Sequence, residues 1–346
     1  MNLGLLTVGA GGAIVIALVA WFGAQSIGAE VLQAGWAVPF TTALLFFQLW
    51  LSALAWRASV GAPKLRVGRY FRIRWIREAV NSLLPVAQLG GNIVGIRLLV
   101  HRGVPGNVAG AGTTLDLTIE ALTQFIFTVL GFVVLSIIDR DRSWAGWVQG
   151  ALGTGALGIG GFIVAQRFGL MRLIELLADR IQRFFPSFSA DAVRGLHEEL
   201  MRLQGNRGAL LRATLLHMLA WMLGTLECWL ALTAMGVSIT WGQAFVIESL
   251  GMALRNAGFA VPGALGVQEA AFILVCSPFG VPAETAVALS MVKRVRELGY
   301  GLTGLAAWQW SEGRRLVRAI GAPPRAASDG GAPAVRAAGV TGGEAA

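Results

Sequence analysis

The chain has 346 residues, of which 55% are hydrophobic and 14% are charged, and its mean hydropathy is +0.65. Several apolar runs reach the length of about 20 residues that crosses a bilayer as a helix. These values exclude a soluble globular core and predict a polytopic membrane protein. The one sizeable polar segment, at 166–212, is too small for a catalytic domain, so we do not expect an enzyme.

The net charge of +9 is distributed as in membrane proteins rather than as in nucleic-acid binders. Lys and Arg are concentrated at 57–77, at 167–212 and from Arg314 onward, and each block adjoins an apolar segment. Cytoplasmic loops close to membrane spans carry such an excess of basic residues. We therefore expect membrane lipids, and no nucleic acid, as partners.

The amino-terminal part contains two predicted spans, at 3–22 and 36–56, and the second has Trp at both ends as interfacial anchors. The basic block at 57–77 follows directly and predicts a cytoplasmic amino terminus. Within this block, arginines alternate with aromatic and aliphatic residues. The pattern predicts an interfacial helix whose basic residues face the anionic inner leaflet, including Arg69, Arg72, Arg74 and Arg77.

A segment of the chain occurs twice: residues 84–120 align with residues 261–297 at a constant offset of 177, without a gap. Each copy reads as a short apolar helix, a Gly-Val-Pro turn and a much longer apolar helix that carries charges. The short helix, of about 15 residues, is too short to cross the bilayer and is predicted to be re-entrant. The positions shared by both copies are Pro85/Pro262, Ala87/Ala264, Gly103-Val104-Pro105/Gly280-Val281-Pro282, Ala109/Ala286 and Glu120/Glu297.

The remaining apolar segments complete the predicted topology. All three basic blocks can lie in the cytoplasm only if the two re-entrant units open to opposite faces of the bilayer. The predicted fold is therefore an all-α integral membrane protein with six full spans and two re-entrant short helices in an inverted-topology repeat. Both termini are expected in the cytoplasm. The later spans are predicted at 108–138, 147–165, 210–235 and 283–310.

The domain organisation follows from this topology. Residues 1–318 are predicted to form one polytopic membrane domain, with repeat 1 at about 36–138 and repeat 2 at about 213–311. A cytoplasmic helical linker at about 166–209 joins them and reads as two amphipathic helices. The tail at 319–346 is rich in Pro, Gly and Ala and is predicted to be disordered.

Ionisable residues inside the predicted spans are the candidate functional residues. Such groups cost several kcal/mol unless they are paired or wet, so they mark either a transport site or a structural ion-pair network. Both interpretations remain open. Asp116 and Lys293 occupy equivalent positions of the two copies and carry opposite charges, so they could pair. The candidates are Asp116, Glu120, Arg255, Glu269, Lys293, Arg296 and Glu297.

Other polar residues have simpler interpretations. Arg97, Arg255 and Arg294 could bind a lipid phosphate, although snorkelling to headgroups is favoured for Arg97 and Arg255. His217, in the same predicted span as Glu227, is expected to form an interhelical hydrogen bond.

We expect no metal and no cofactor. The sequence has no His-rich cluster, no nucleophile beside a base and no glycine-rich phosphate loop. Asp139 and Asp141 are balanced by neighbouring arginines. The two cysteines, Cys228 and Cys276, lie in apolar stretches and are interpreted as core residues.

The repeated motif resembles a known family. Pro-Gly-Ala-Leu-Gly-Val-Gln-Glu at 262–269, followed by Gly-Val-Pro at 280–282, is similar to the flippase-like transmembrane module of lysylphosphatidylglycerol synthases. The resemblance covers residues 3–318, and residues 84–91 and 113–120 most resemble its stand-alone branch associated with hopanoid biosynthesis, HpnL. The motif residues of the two copies are Pro85, Gly90, Gly91, Asn92, Pro262, Gly263, Gly266 and Gln268.

One position departs from the family pattern. The family usually has Glu after the Gly of the first motif, where this chain has Asn92, whereas the equivalent residue of the second copy is Glu269. The resemblance therefore does not imply a symmetric mechanism with two carboxylates.

The resemblance implies a multi-pass protein of the bacterial inner membrane that moves lipids or lipid-linked molecules between leaflets. It does not imply aminoacyl transfer, which belongs to a separate soluble domain. The leading hypothesis is a flippase or transporter with its site at the interface of the repeats and with hopanoid-related or anionic lipids as candidate substrates. The alternative is a non-transporting scaffold subunit of a lipid, or hopanoid, biosynthetic assembly, whose partners would be lipid-biosynthesis proteins.

Overall fold

The computed structural model describes residues 37–61, 65–84, 90–138, 190–258 and 261–320, with isolated positions between 29 and 35 and between 153 and 164. The side chains at 190–194, 262 and 311–320 are not described. The predicted first span, most of the predicted span at 147–165, the first linker helix, Pro85 and the tail from residue 321 lie outside the described residues.

The described ranges are helical, and no strand occurs in them. Two short 3-10 turns, Pro262–Ala264 and Ser277–Phe279, flank the eighth α-helix. The α-helices are α1 (Ala37–Val60), α2 (Val67–Leu83), α3 (Gly90–Val100), α4 (Gly106–Ile138), α5 (Ala190–Gln204), α6 (Arg207–Ala234), α7 (Trp241–Ala257), α8 (Val267–Cys276) and α9 (Ala283–Ile320).

Three of these helices, α1, α4 and α6, are long and apolar enough to cross a membrane. They have 24, 33 and 28 residues, which at about 1.5 Å per residue exceeds the roughly 30 Å of a hydrocarbon core. The spans predicted at 36–56, 108–138 and 210–235 are therefore confirmed as long apolar helices. Helix α9 has 38 residues but carries several charges in its middle.

Helices α3 and α8 are short, with 11 and 10 residues. At about 1.5 Å per residue neither can cross the bilayer. Each is followed by a turn in which a glycine has a left-handed backbone, with φ of 86° at Gly103 and 69° at Gly280. The predicted order of short helix, Gly-Val-Pro turn and long helix is thus confirmed in both segments.

The helix that precedes each repeated segment packs on the long helix of the other segment. Helix α2 lies on α9, where the Trp75 indole Nε1 donates a hydrogen bond to the Tyr300 carbonyl oxygen at 2.8 Å. Gly304 of α9 leaves no room for a side chain at this contact. Helix α7 lies on α4, where Gly131 likewise leaves no room for a side chain beside Ser249. The two segments are therefore joined by reciprocal helix contacts.

Helix α5 belongs to the predicted linker. Its apolar side chains Leu200 and Leu203 are buried against α1 and α4, in a cluster with Ala55 and Leu115. Arg202 lies on the opposite, exposed side. The second amphipathic helix predicted for the linker is therefore present, and it packs on the membrane helices.

Candidate functional site

The first ion network joins α2, α4 and α6 around Asp116, which is fully buried. Arg74 and Arg77 of α2 each donate a hydrogen bond from Nη1 to Asp116 Oδ2, at 2.8 and 2.9 Å. His217 Nε2 lies 3.1 Å from the other carboxylate oxygen of Asp116. The interhelical hydrogen bond expected of His217 is therefore present, and both Asp116 oxygens are bonded.

Arg74 extends this network to two further acids of the same group of helices. Its Nη2 donates to Glu120 Oε1 at 2.8 Å, and its Nε lies 2.9 Å from Glu78 Oε1. The guanidinium of Arg77 lies over the Trp56 ring, 5.2 Å from its centroid. The first ion network consists of Arg74, Arg77, Glu78, Asp116, Glu120 and His217.

The prediction that Arg74 and Arg77 face the inner leaflet is wrong. Their side chains are only 2% and 1% exposed. The physical reason is the acidic face of α4: a buried guanidinium is tolerated when carboxylates surround it. The exposed arginines are Arg69, in the first turn of α2, and Arg66, which directly precedes the helix.

The second ion network joins α6, α7 and α9 around Lys293, which is buried. Lys293 Nζ lies 3.2 Å from Glu227 Oε1 and 2.9 Å from Glu248 Oε2. Arg296 also pairs with Glu227. The second ion network therefore holds two cations and two carboxylates.

The possible pair of Asp116 with Lys293 does not form. Each of these charges is neutralised by partners on neighbouring helices, Asp116 by two arginines of α2 and Lys293 by acids of α6 and α7. Equivalent positions of two copies need not face each other, because the helices that pack beside them supply closer partners.

Arg255 and Glu297 form a further pair, between α7 and α9. Arg255 Nη2 donates to Glu297 Oε1 at 3.0 Å, and its Nε donates to Gln268 Oε1 at 2.5 Å. The Gln268 amide in turn donates to Ser290 Oγ at 2.8 Å. The expectation that Arg255 snorkels to headgroups is wrong, since acceptors on α8 and α9 hold it inside the protein. Arg97, by contrast, is exposed.

Glu269 caps the short helix α8 and is held by Arg294. Its Oε2 accepts a hydrogen bond from the Gly266 backbone N–H at 2.8 Å, and Arg294 Nε donates to its Oε1 at 2.5 Å. Arg294 also donates to the Gly263 carbonyl oxygen at 3.0 Å. Gly263 and Gly266 have φ of 61° and 79°, a backbone that glycine adopts readily. The Arg294 guanidinium is thus hydrogen-bonded to the Gly263 turn and to the Glu269 carboxylate rather than available to a lipid phosphate.

The first copy lacks this clamp as a unit. Asn92 stands at the position of Glu269 and is buried, and Leu117 stands at the position of Arg294. The start of α3 is held differently: the backbone N–H of Gly91, the second residue of the helix, donates to Asn81 Oδ1 at 2.9 Å. The first copy therefore lacks both members of the Glu269–Arg294 pair, the carboxylate at Asn92 and the cation at Leu117.

Glu78, Glu120, Arg255 and Glu297 are partly exposed, and we call them, with Tyr300, the central polar site. Arg294 is also 14% exposed, but it is held by Glu269 and by the turn before α8. The exposed fractions are 26% for Glu78, 29% for Glu120, 14% for Arg255 and 16% for Glu297. Tyr300 lies close enough to Glu78, Glu297 and Arg255 for their charges to act on its hydroxyl group. These residues come from α2, α4, α7 and α9, so the site lies between the two segments.

A metal ion is not favoured in the first ion network, although Asp116, Glu120 and His217 offer ligand atoms within 4.8 Å of one another. Two guanidinium groups already occupy the carboxylates. A divalent cation would have to displace Arg74 and would stand beside the buried charge of Arg77.

Several members of the site were not recognised in the sequence. The sequence pattern predicts Arg74 and Arg77 at the membrane surface, and it does not predict Glu78, Glu248 or Tyr300 as members of the site. A signal existed for Glu248, since it is the one charge in the apolar stretch 244–251. For the arginines, their spacing of three residues indicated a shared helix face.

The long apolar helices and the buried ion networks define a polytopic α-helical membrane protein. A family model described as the lysylphosphatidylglycerol synthase TM region matches residues 8–304, and the chain belongs to this family. Comparison with curated proteins and with solved structures returned no match. The family resemblance of the repeated motif is thus confirmed.

Proposed function

We propose that the protein is a flippase or transporter that moves a lipid or lipid-linked molecule between the leaflets, with hopanoid-related and anionic lipids as its candidate substrates. The observation that carries this proposal is the central polar site, where partly exposed charges of both segments meet between apolar helices. Ionisable groups inside a membrane domain are costly, and by default they mark a functional site. Membership in a family of membrane domains of lipid-related proteins supports the same function.

The two kinds of ion pair have different roles in this proposal. The nearly unexposed charges Asp116, Lys293 and Arg296 hold the helices together. The Arg255–Glu297 pair is partly exposed, so a lipid headgroup can compete for it at smaller cost. An open pair would offer a cation to a phosphate and a carboxylate to an amine or hydroxyl.

An inverted repeat is part of the proposal. The two short helices begin at Gly90 and Val267, and the two long helices begin at Gly106 and Ala283, so both starts differ by 177 (267 − 90 and 283 − 106). Two units of opposite orientation can exchange roles and so open to either leaflet with similar energy. Cysteine labelling tests this arrangement: residues near 103 and near 280 should be reached from opposite sides of the membrane.

A leaflet-selective assay tests the transport function. The full chain is reconstituted into liposomes that contain a headgroup-labelled fluorescent lipid, and a membrane-impermeant reductant bleaches the outer leaflet. We expect faster loss of the protected fluorescence than in empty liposomes. Arg255→Gln and Glu297→Gln should slow this movement about tenfold, because a charge-assisted hydrogen bond to a headgroup contributes roughly 1.5–3 kcal/mol. Arg207→Gln, at an exposed cation of α6, is the matched control.

The outcome also separates transport from the scaffold alternative. A scaffold should keep its function in folded Arg255→Gln and Glu297→Gln variants, whereas a transporter should not. Neutralising Glu269 or Lys293 does not discriminate, because both are buried in ion pairs that hold helices together. If the wild-type protein accelerates no lipid among phosphatidylglycerol, phosphatidylethanolamine and hopanoid-derived lipids, the transport proposal is wrong.

A further inference from the structure

Three arginines meet at one end of the helical hairpin formed by α2 and α3. These two helices pack side by side, so the amino end of α2 lies beside the carboxyl end of α3. Arg69 and Arg72 lie on α2, and Arg102 lies in the turn after α3. Partial burial and the nearby charges of Arg72 and Arg69 lower the pKa of Arg102. We call these three residues the arginine cluster.

The arginine cluster lacks acidic partners within the described part of the chain. None of the ion pairs between described residues includes Arg69, Arg72 or Arg102, and Arg72 Nη2 donates only to the Ala307 carbonyl oxygen, at 3.4 Å. Buried arginines elsewhere on these helices, such as Arg74, are all paired with carboxylates. Three like charges in one place repel one another unless an anion lies between them.

The fold itself does not require these cations. At the offset of 177, Phe279 stands at the position of Arg102, and the first 14 residues of α7, the helix that precedes the second copy, contain no Lys or Arg. The second hairpin therefore forms with Arg255, near the carboxyl end of α7, as the one cation of α7 and α8. The arginine cluster is therefore a property of one hairpin alone, which is what a binding function at one membrane face would produce.

The start of α4 adds to the positive potential. The helix begins at Gly106, four residues after Arg102, and has no acidic residue in its first turn. The corresponding helix α9 has Glu284 in its first turn. The amino end of a helix carries partial positive charge and favours anions, above all phosphate.

We propose that the arginine cluster and the start of α4 bind the phosphate of an anionic phospholipid headgroup at the membrane surface. The basic blocks of the sequence predict that this end of the hairpin faces the cytoplasm, where the leaflet is anionic. The site is separate from the central polar site, and it stands whether or not the protein transports lipid. Its occupant is a lipid that anchors the hairpin α2–α3.

A binding assay tests the site in the full-length protein in neutral detergent. The probes are a fluorescent phosphatidylglycerol and the matching phosphatidylcholine, and their anisotropy gives the affinity. We expect the double variant R69Q/R102Q to bind phosphatidylglycerol about 25-fold more weakly, from about fivefold for each of the two cations. Binding of phosphatidylcholine should not change. The matched control R207Q/R212Q, with two exposed cations of α6 removed, should stay within about twofold of wild type.

Equal affinity in R69Q/R102Q and wild type would overturn the proposal, and so would an equal loss in R207Q/R212Q. Circular dichroism shows whether R69Q/R102Q keeps its helix content. If it does not, R69K/R102K serves instead: it keeps the charges and should retain binding of phosphatidylglycerol within about fivefold, since lysine binds phosphate as a point charge. Inorganic phosphate distinguishes the source of the anion. If it displaces the probe as well as unlabelled phosphatidylglycerol does, the site takes free phosphate and the lipid assignment is wrong.

Discussion

Replacing Lys293 by methionine removes a buried charge while it keeps most of the side-chain length. The Lys293 side chain is 1% exposed and lies between Glu227 and Glu248, with its Nζ 2.9 Å from the nearer Glu248 oxygen. Glu227 would keep Arg296 as a partner. Glu248 would lose the one cation with which it pairs among the described residues. The loss of stability should therefore come mainly from leaving the Glu248 carboxylate buried without a cation.

The expected magnitude follows from this geometry. Two unit charges 2.9 Å apart attract each other by about 6 kcal/mol at an effective dielectric constant of about 20. Desolvation of both groups offsets most of this attraction, but removal of one partner leaves the other desolvated and unpaired. Lys293→Met should therefore lower the free energy of unfolding by about 3–5 kcal/mol. Adding Glu248→Gln to Lys293→Met should recover about 2 kcal/mol, because the unpaired carboxylate is gone.

A double-mutant cycle measures this coupling. Unfolding of the full-length protein in mixed micelles of a neutral detergent and dodecyl sulfate is followed by tryptophan fluorescence and circular dichroism. The pair Glu199 and Arg202 on α5, whose arginine is exposed, is the matched control and should show a coupling of no more than about 0.5 kcal/mol. If Lys293→Met and Glu248→Gln are additive within about 0.5 kcal/mol, the reasoning about the buried networks is refuted.

Two further predictions concern packing and pH. Gly304→Val should lower the free energy of unfolding by about 1–3 kcal/mol or more, because a Cβ at this position would lie 2.6 Å from the Cβ of Ala79. Gly299→Val, on the same helix with open space around it, is the control and should have little effect. Equal thermal stability of the two variants would contradict the contact between α2 and α9. The hydrogen bond from Arg202 lowers the pKa of Glu199 below its ordinary value. The pair therefore stabilises α5 fully when the pH is above the ordinary pKa of a glutamate, and this stabilisation is lost as the pH falls through the lower pKa of the folded state. Glu199→Gln should remove this small pH dependence from a titration of helix content, and an unchanged titration would speak against the pair.

Local features of the fold were predictable because they depend on neighbouring residues. The Gly-Val-Pro turns predicted the ends of α3 and α8, since only the left-handed backbone of Gly103 and Gly280 allows so sharp a change of direction. The apolar lengths of α1, α4 and α6 predicted their bounds within a few residues. Constraints of this kind act within one helix or one turn.

The partners of the buried charges were not predictable in the same way. Arg74 and Arg77 read as surface residues, because the acids that neutralise them lie about 40 residues later on α4. Lys293 is bound by acids of two other helices, one of which, Glu248, has an ordinary apolar sequence around it. Which helices meet depends on the packing of the whole domain, and one sequence does not contain that information in any local pattern.

The order in which ion partners are synthesised differs between the two networks. Asp116 on α4 emerges after Arg74 and Arg77, so its cations are already present when it reaches the membrane. Glu227 on α6 precedes Lys293 by 66 residues, a delay of roughly 3–13 s at about 5–20 residues per second. A carboxylate without its cation is costly in lipid. We therefore expect helix α6 to become stable in the bilayer only once α9 has been made, so that the second half of the protein inserts as a group.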